Sequence, residues 1–175
     1  MNERIGALIG SIFGLVFMMV NAGELGEPTA LVVRVAAVVL FLAALWFGFI
    51  RVPAPASPPE KPSRAAMRVY WTSVLFEVIS IPLGAMFITQ VLELPDVVVV
   101  WVVFVVGVHF LPFARAFAAP VFAVLSRVLI GLAMLGAVLT VAVSAVFAAW
   151  TAVLAGVVLL GFSALGYRLS RTATV

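Results

Sequence analysis

Glu77 is the residue whose chemistry is hardest to reconcile with its surroundings. It is a carboxylate inside Val74–Leu83, a stretch otherwise made of apolar or small residues. Such a group can take up and release a proton, hold a substrate, form an ion pair, or stay neutral and hydrogen-bond a neighbouring helix. Ser73, Glu77, Ser80 and Gly84 follow the spacing i, i+4, i+7, i+11, which places them on one face of a helix. That face is small and polar, so it is expected to point into protein rather than lipid.

A single histidine, His109, stands in Gly107-Val108-His109-Phe110-Leu111-Pro112. Pro112 leaves the Val108 carbonyl without its usual donor and is expected to kink the helix. Pro82 interrupts the helix of Glu77 in the same way. His109 is open to three readings: proton acceptor, haem ligand, or a hydrogen bond between helices. Two arginines, Arg34 and Arg127, also fall inside apolar stretches. An ionisable group within a membrane span is costly, and it marks a functional site by default.

The chain that must position these groups has 175 residues, 66% of them hydrophobic and 10% charged. Its mean hydropathy is +1.32. A soluble domain is closer to half apolar and a quarter charged, and a small domain leaves much of its surface in water. A soluble globular protein, a nucleic-acid-binding domain and a disordered chain are therefore excluded. The expected fold is all-α, a polytopic transmembrane bundle forming a single integral membrane domain over residues 1–175. The lipid bilayer is its first partner.

A span needs about 20 apolar residues. Six such stretches are expected: Ile5–Ala22, Ala30–Ile50, Met67–Leu92, Val97–Ala116, 118–142 and 146–168. The N-terminal run has the look of a signal peptide, but its glycines suit a retained helix. The Pro-rich stretch within 51–66 reads as an extended linker. With the N-terminus inside, the inner segments carry Arg4, Arg51, Lys61, Arg64, Arg68, Arg115, Arg168 and Arg171, while the outer loops carry only Glu24, Glu27, Glu93 and Asp96. The positive-inside rule then puts both termini in the cytoplasm, for a multi-pass protein of the inner (plasma) membrane. Trp46 and Trp71 fall near inner ends of spans, Trp101 and Trp150 near outer ends, as interfacial indoles prefer.

At 1.5 Å per residue, Glu77 lies about 15 Å above the inner end of its span, His109 about 10 Å and Arg127 about 13 Å above theirs. The three are at compatible depth. Arg127, always charged, is the natural partner of Glu77 and would make a buried ion pair; His109 would make a pH-responsive contact suited to a proton relay, and helix order leaves the choice open. Arg34, about 6 Å below the outer end of its span, can snorkel to Glu24, Glu27 or Asp96. It is the candidate for an outer charged site.

Internal matches raise the prospect of duplication. One shift aligns Gly14-Leu15-Val16-Phe17 with Gly107-Val108-His109-Phe110, and Arg34-Val35 with Arg127-Val128. A shorter shift aligns Trp71-Thr72-Ser73-Val74-Leu75 with Trp150-Thr151-Ala152-Val153-Leu154. Three spans per copy would make these inverted repeats, 5–92 and 97–168, a plan common in transporters. Gly6, Gly10 and Gly14 form a double GxxxG ridge that packs either within the bundle or across a homodimer through the first helix. Six helices offer many internal contacts, which favours the former.

Gly107-Val108-His109-Phe110-Leu111-Pro112-Phe113-Ala114 resembles a G-x-H-F-x-P-x-A stretch found in small bacterial six-helix integral membrane proteins with no assigned activity. The resemblance covers about one span. It implies that His109 and Pro112 belong to a family signature.

No cysteine, HExxH, GxSxG or P-loop pattern is present, so no enzyme, metal site or cofactor is expected. The leading expectation is a small transporter or channel-like protein, proton-coupled, with a midplane polar site. Glu77, His109, Arg127, Ser73 and Ser80 would form that site, and an unidentified small molecule or ion would be the substrate. The alternative is a non-transporting scaffold or accessory subunit held together by Glu77–Arg127 and the glycine ridge.

Overall fold

The computed structural model describes residues 3–51 and 62–172, with the side chains of residues 3–5, Phe49 and 166–172 left aside. Most of the Pro-rich linker, and the side chains of Arg4, Lys61, Arg168 and Arg171, lie outside the described residues.

In lipid the backbone must satisfy its own hydrogen bonds, so apolar spans of this length become helices. Six long helices form among the described residues: α1 (Glu3–Asn21), α2 (Thr29–Leu45), α3 (Arg64–Gln90), α4 (Val98–Ala116), α5 (Val121–Ala142) and α6 (Val146–Thr172). All six contain a stretch long and apolar enough to cross a membrane. Local chemistry moves two boundaries. The helix of Glu77 starts at Arg64 rather than Met67, because the Ser63 hydroxyl accepts from the Ala66 amide at 3.1 Å and caps it. Span five starts at Val121 rather than 118, because Ala118 takes a positive φ and Pro120 occupies the N-cap. The α5–α6 break falls at 143–145, where it was expected. The last turn of α2 relaxes into a π-helical turn, Trp46–Ile50.

Short turns make α1 and α2, α3 and α4, α4 and α5, and α5 and α6 antiparallel neighbours, and the start of α1 lies at the same end of the bundle as the end of α6, with Gly10 against Ser163. Helix α6 is the hub, packing against α1, α2, α4 and α5. One core cluster joins α4, α5 and α6 through Val103, Leu125, Leu129 and Leu159. A second joins α1, α2 and α6 through Met18, Ala37, Val153 and Leu160. Helix α3 contributes to neither cluster; among the long helices it packs closely only on α4.

The glycine ridge of α1 is used inside the chain. A Cβ on Gly14 would stand 2.8 Å from the Gly156 carbonyl oxygen, and one on Gly156 would stand 2.6 Å from the Gly14 carbonyl oxygen. Backbone therefore touches backbone where α1 crosses α6, the close approach that small residues permit. Gly10 faces Ser163 of the same helix. Gly10 and Gly14 are thus used within the chain, against α6, while Gly6 lines the cavity described below.

The expected repeat finds only partial correspondence. Equating α1–α3 with α4–α6 maps α1·α2 onto α4·α5 and α1·α6 onto α3·α4, and all four contacts exist. It also maps the peripheral α3 onto the central α6, and their surroundings do not correspond.

Candidate functional site

The stripe Ser73, Glu77, Ser80, Gly84 meets α4. Around it, Leu75, Phe76, Val78, Ile79, Leu83 and Met86 are exposed on the outside of the bundle. Two polar clasps join the helices. Trp101 Nε1 donates to the Ser80 carbonyl at 3.0 Å. Its indole lies against Gly84, where any Cβ would collide with it. Trp101, expected to act as an interfacial anchor, thus serves the α3–α4 contact.

The second clasp is the centre of the site. His109 Nδ1 lies 3.0 Å from Glu77 Oε2 and 3.2 Å from the Ser73 carbonyl oxygen. A backbone carbonyl only accepts, so Nδ1 carries the proton and donates. Nε2 then bears the lone pair of a neutral imidazole, or the second N–H of an imidazolium. The imidazole is held edge-on against Phe110 and Phe113, with ring centroids 5.2 and 4.7 Å away. Its side chain is 10% exposed; that of Glu77 is 25% exposed. The imidazole is therefore packed into the interface while the carboxylate borders open space.

That space is a cavity of about 650 Å³ in the half of the bundle nearer the chain ends. Helix α1 forms one side and α3 the other; α4, α5 and α6 form the back. Phe13, Phe17, Tyr70, Phe110, Phe113, Phe122 and Phe162 supply aromatic walls, and Glu77, His109, Tyr70 and Ser163 supply the polar side chains. Ile9, Phe13 and Val78 line the cavity yet are 41%, 53% and 62% exposed. They mark a mouth between α1 and α3 that opens on the apolar flank of the bundle.

The other expected site residues are placed differently. Arg127 is exposed and does not line the cavity; Glu77 pairs with His109 instead. The expected Glu77–Arg127 bridge is thereby corrected: α5 packs behind α4, not against α3. Ser73 and Ser80 take part through carbonyl oxygens, not hydroxyls. Pro82 and Pro112 lie on exposed faces, and α3 and α4 stay helical through both. Arg34 reaches Glu27 across 3.9 Å at the opposite end of the bundle, far along the helices from the cavity. The groups missed in the sequence are the aromatic walls and Ser163, since a phenylalanine facing a cavity has the same spacing as one facing lipid.

Among the described residues no group of three or more His, Cys, Asp or Glu could hold a metal ion. The arrangement offers one acid and one imidazole able to hold a proton or a positive charge, beside walls that accept an apolar body. Neither a protein-family model, nor a curated protein, nor a solved structure matches the chain.

Proposed function

We propose that the protein is a small proton-coupled membrane transporter that loads cargo in the cavity between α1 and α3 and exchanges protons at Glu77–His109. One observation carries this reading: an acid–imidazole pair 3.0 Å apart on the wall of a cavity of about 650 Å³, near the middle of α3. Dry packing around the carboxylate, or lipid beside it, would have favoured a purely structural role. Intramembrane ionisable residues that face a cavity are characteristic of ion and substrate pathways.

The clasp also supports a way of moving. Among the described residues the long helix that α3 packs closely on is α4, and one of the two polar clasps between them includes the Glu77–His109 pair. Adding or removing a proton changes the strength of that contact, because a hydrogen bond to a charged partner is roughly twice as strong as a neutral one. A shift of α3 relative to α1 would widen or narrow the mouth.

In proteoliposomes, proton-coupled flux followed with a pH-sensitive dye should fall to background in Glu77→Gln, with helicity and elution volume unchanged. Undiminished flux in a folded variant removes Glu77 from the mechanism.

A non-transporting scaffold or accessory subunit is the second reading, favoured by the exposed apolar face of α3. It predicts that Glu77→Gln alters stability and leaves no flux to lose. We further place both termini in the cytoplasm of an inner-membrane protein. Arg51, Arg64, Arg68 and Arg115 lie at the terminal end, and Glu24, Glu27, Glu93 and Asp96 at the other. The chain has no cysteine, so single replacements test this directly. Glu93→Cys should react with an impermeant maleimide on intact cells, and Arg64→Cys only after permeabilisation; the reverse pattern inverts the topology.

A further inference from the structure

The charge and walls of the cavity narrow the cargo. Of the elements around it, α3 presents Glu77 and Tyr70 and α4 presents His109; α1, α2, α5 and α6 present no ionisable side chain among the described lining residues. Among the described residues no lysine or arginine lines it, and the one carboxylate there is Glu77, which favours a cation over an anion. A small hydrated metal ion would find one carboxylate where hard cations need several oxygen ligands, and apolar walls would not replace its water. Aromatic side chains at Phe13, Phe110 and Phe122 line it and supply apolar, π-rich walls that suit a bulky cation better than an anion. The mouth marked by Ile9 and Val78 opens sideways onto the apolar flank.

We propose, resting on the reading of this cavity as a cargo site, that its ligand is a lipophilic monocation that enters laterally from the bilayer and displaces one proton from the Glu77–His109 pair. The charge balance is explicit. Ionised Glu77 with neutral His109 has net charge −1. One added proton, on either group, brings the pair to zero, and so does one bound monocation. Proton and cation therefore compete one for one, and by linkage each weakens the other to the same degree. A transporter built this way exchanges the two across the membrane.

The full-length protein in detergent micelles tests this with two ions of the same shape and opposite charge, tetraphenylphosphonium and tetraphenylborate. Tetraphenylphosphonium should bind more tightly as pH rises, and calorimetry in buffers of different ionisation enthalpy should register a released proton. Tetraphenylborate should bind weaker by about tenfold or more. Glu77→Gln should weaken the cation by on the order of tenfold and abolish proton release. Equal binding of the two ions, or cation binding without proton release, overturns the proposal. Should Glu77→Gln fail to fold, the ion comparison and proton release on the unaltered chain decide the matter alone. Cation binding with no flux in proteoliposomes keeps this site and discards the transporter; Glu77-dependent proton flux with no cation binding keeps the transporter and discards this cargo.

Discussion

Helices α3 and α6 have equal length, 27 residues each, and opposite roles. Across its apolar stretch α6 has 56% of its residues buried; α3 has 11%. Helix α6 is held by shape: Ala148, Ala149, Ala152 and Ala155 are buried, and Gly156 meets the backbone of α1. Helix α3 is held by chemistry, with an indole on a carbonyl and an imidazole on a carboxylate. In lipid, apolar surface gains nothing by meeting other apolar surface, so helices associate through close packing or through polar bonds. This bundle uses the first for its hub and the second for the helix that borders its cavity. A close-packed contact resists continuous adjustment, whereas a polar clasp can be weakened by a proton. The titratable group is thus found on the helix with fewest neighbours.

Substitutions can break or sharpen this contrast. The largest effect is expected at the hub. Gly156→Leu forces side-chain volume into the α1–α6 backbone contact and should cost about 3 kcal/mol or more, seen as loss of folded protein in SDS titration of mixed micelles. Val78→Ala on the open flank of α3 should stay within about 0.5 kcal/mol. Similar losses at both sites would dissolve the distinction. Next in size is the titratable clasp. A double-mutant cycle with Glu77→Gln and His109→Gln should show a coupling of about 0.6–1.7 kcal/mol, the range of polar pairs between membrane helices; additive losses would mean the two groups do not depend on each other. Smallest is Arg127→Gln, expected within about 0.5 kcal/mol with flux unchanged, as suits an exposed side chain away from the cavity. A large loss there would return Arg127 to the mechanism.

Much of the site was legible before any coordinates. Ser73, Glu77, Ser80 and Gly84 share a face by helical spacing alone, and four small or polar residues on a lipid-facing stripe would be costly. Depth along the spans allowed both His109 and Arg127 as partners for Glu77, and permanent charge pointed to Arg127. A signal that separates them was present: the turn between Gln90 and Pro95 is short, which makes α3 and α4 antiparallel neighbours. In that register residue 73 lies near 109, and 80 near 101. The mouth between α1 and α3 left no such trace, because those helices are distant in sequence and their facing residues are as apolar as the ones that meet lipid.

The sequence by itself determined six helices, their approximate ends and the asymmetry of charge between the two ends. A bilayer admits only long apolar segments whose backbones bond internally, and that requirement is written residue by residue. The tertiary structure alone decided that α6 is central, that α3 hangs on α4, and that a cavity opens beside Glu77. Those outcomes depend on which apolar faces interlock, and hydropathy does not distinguish a face turned to lipid from one turned to a neighbouring helix.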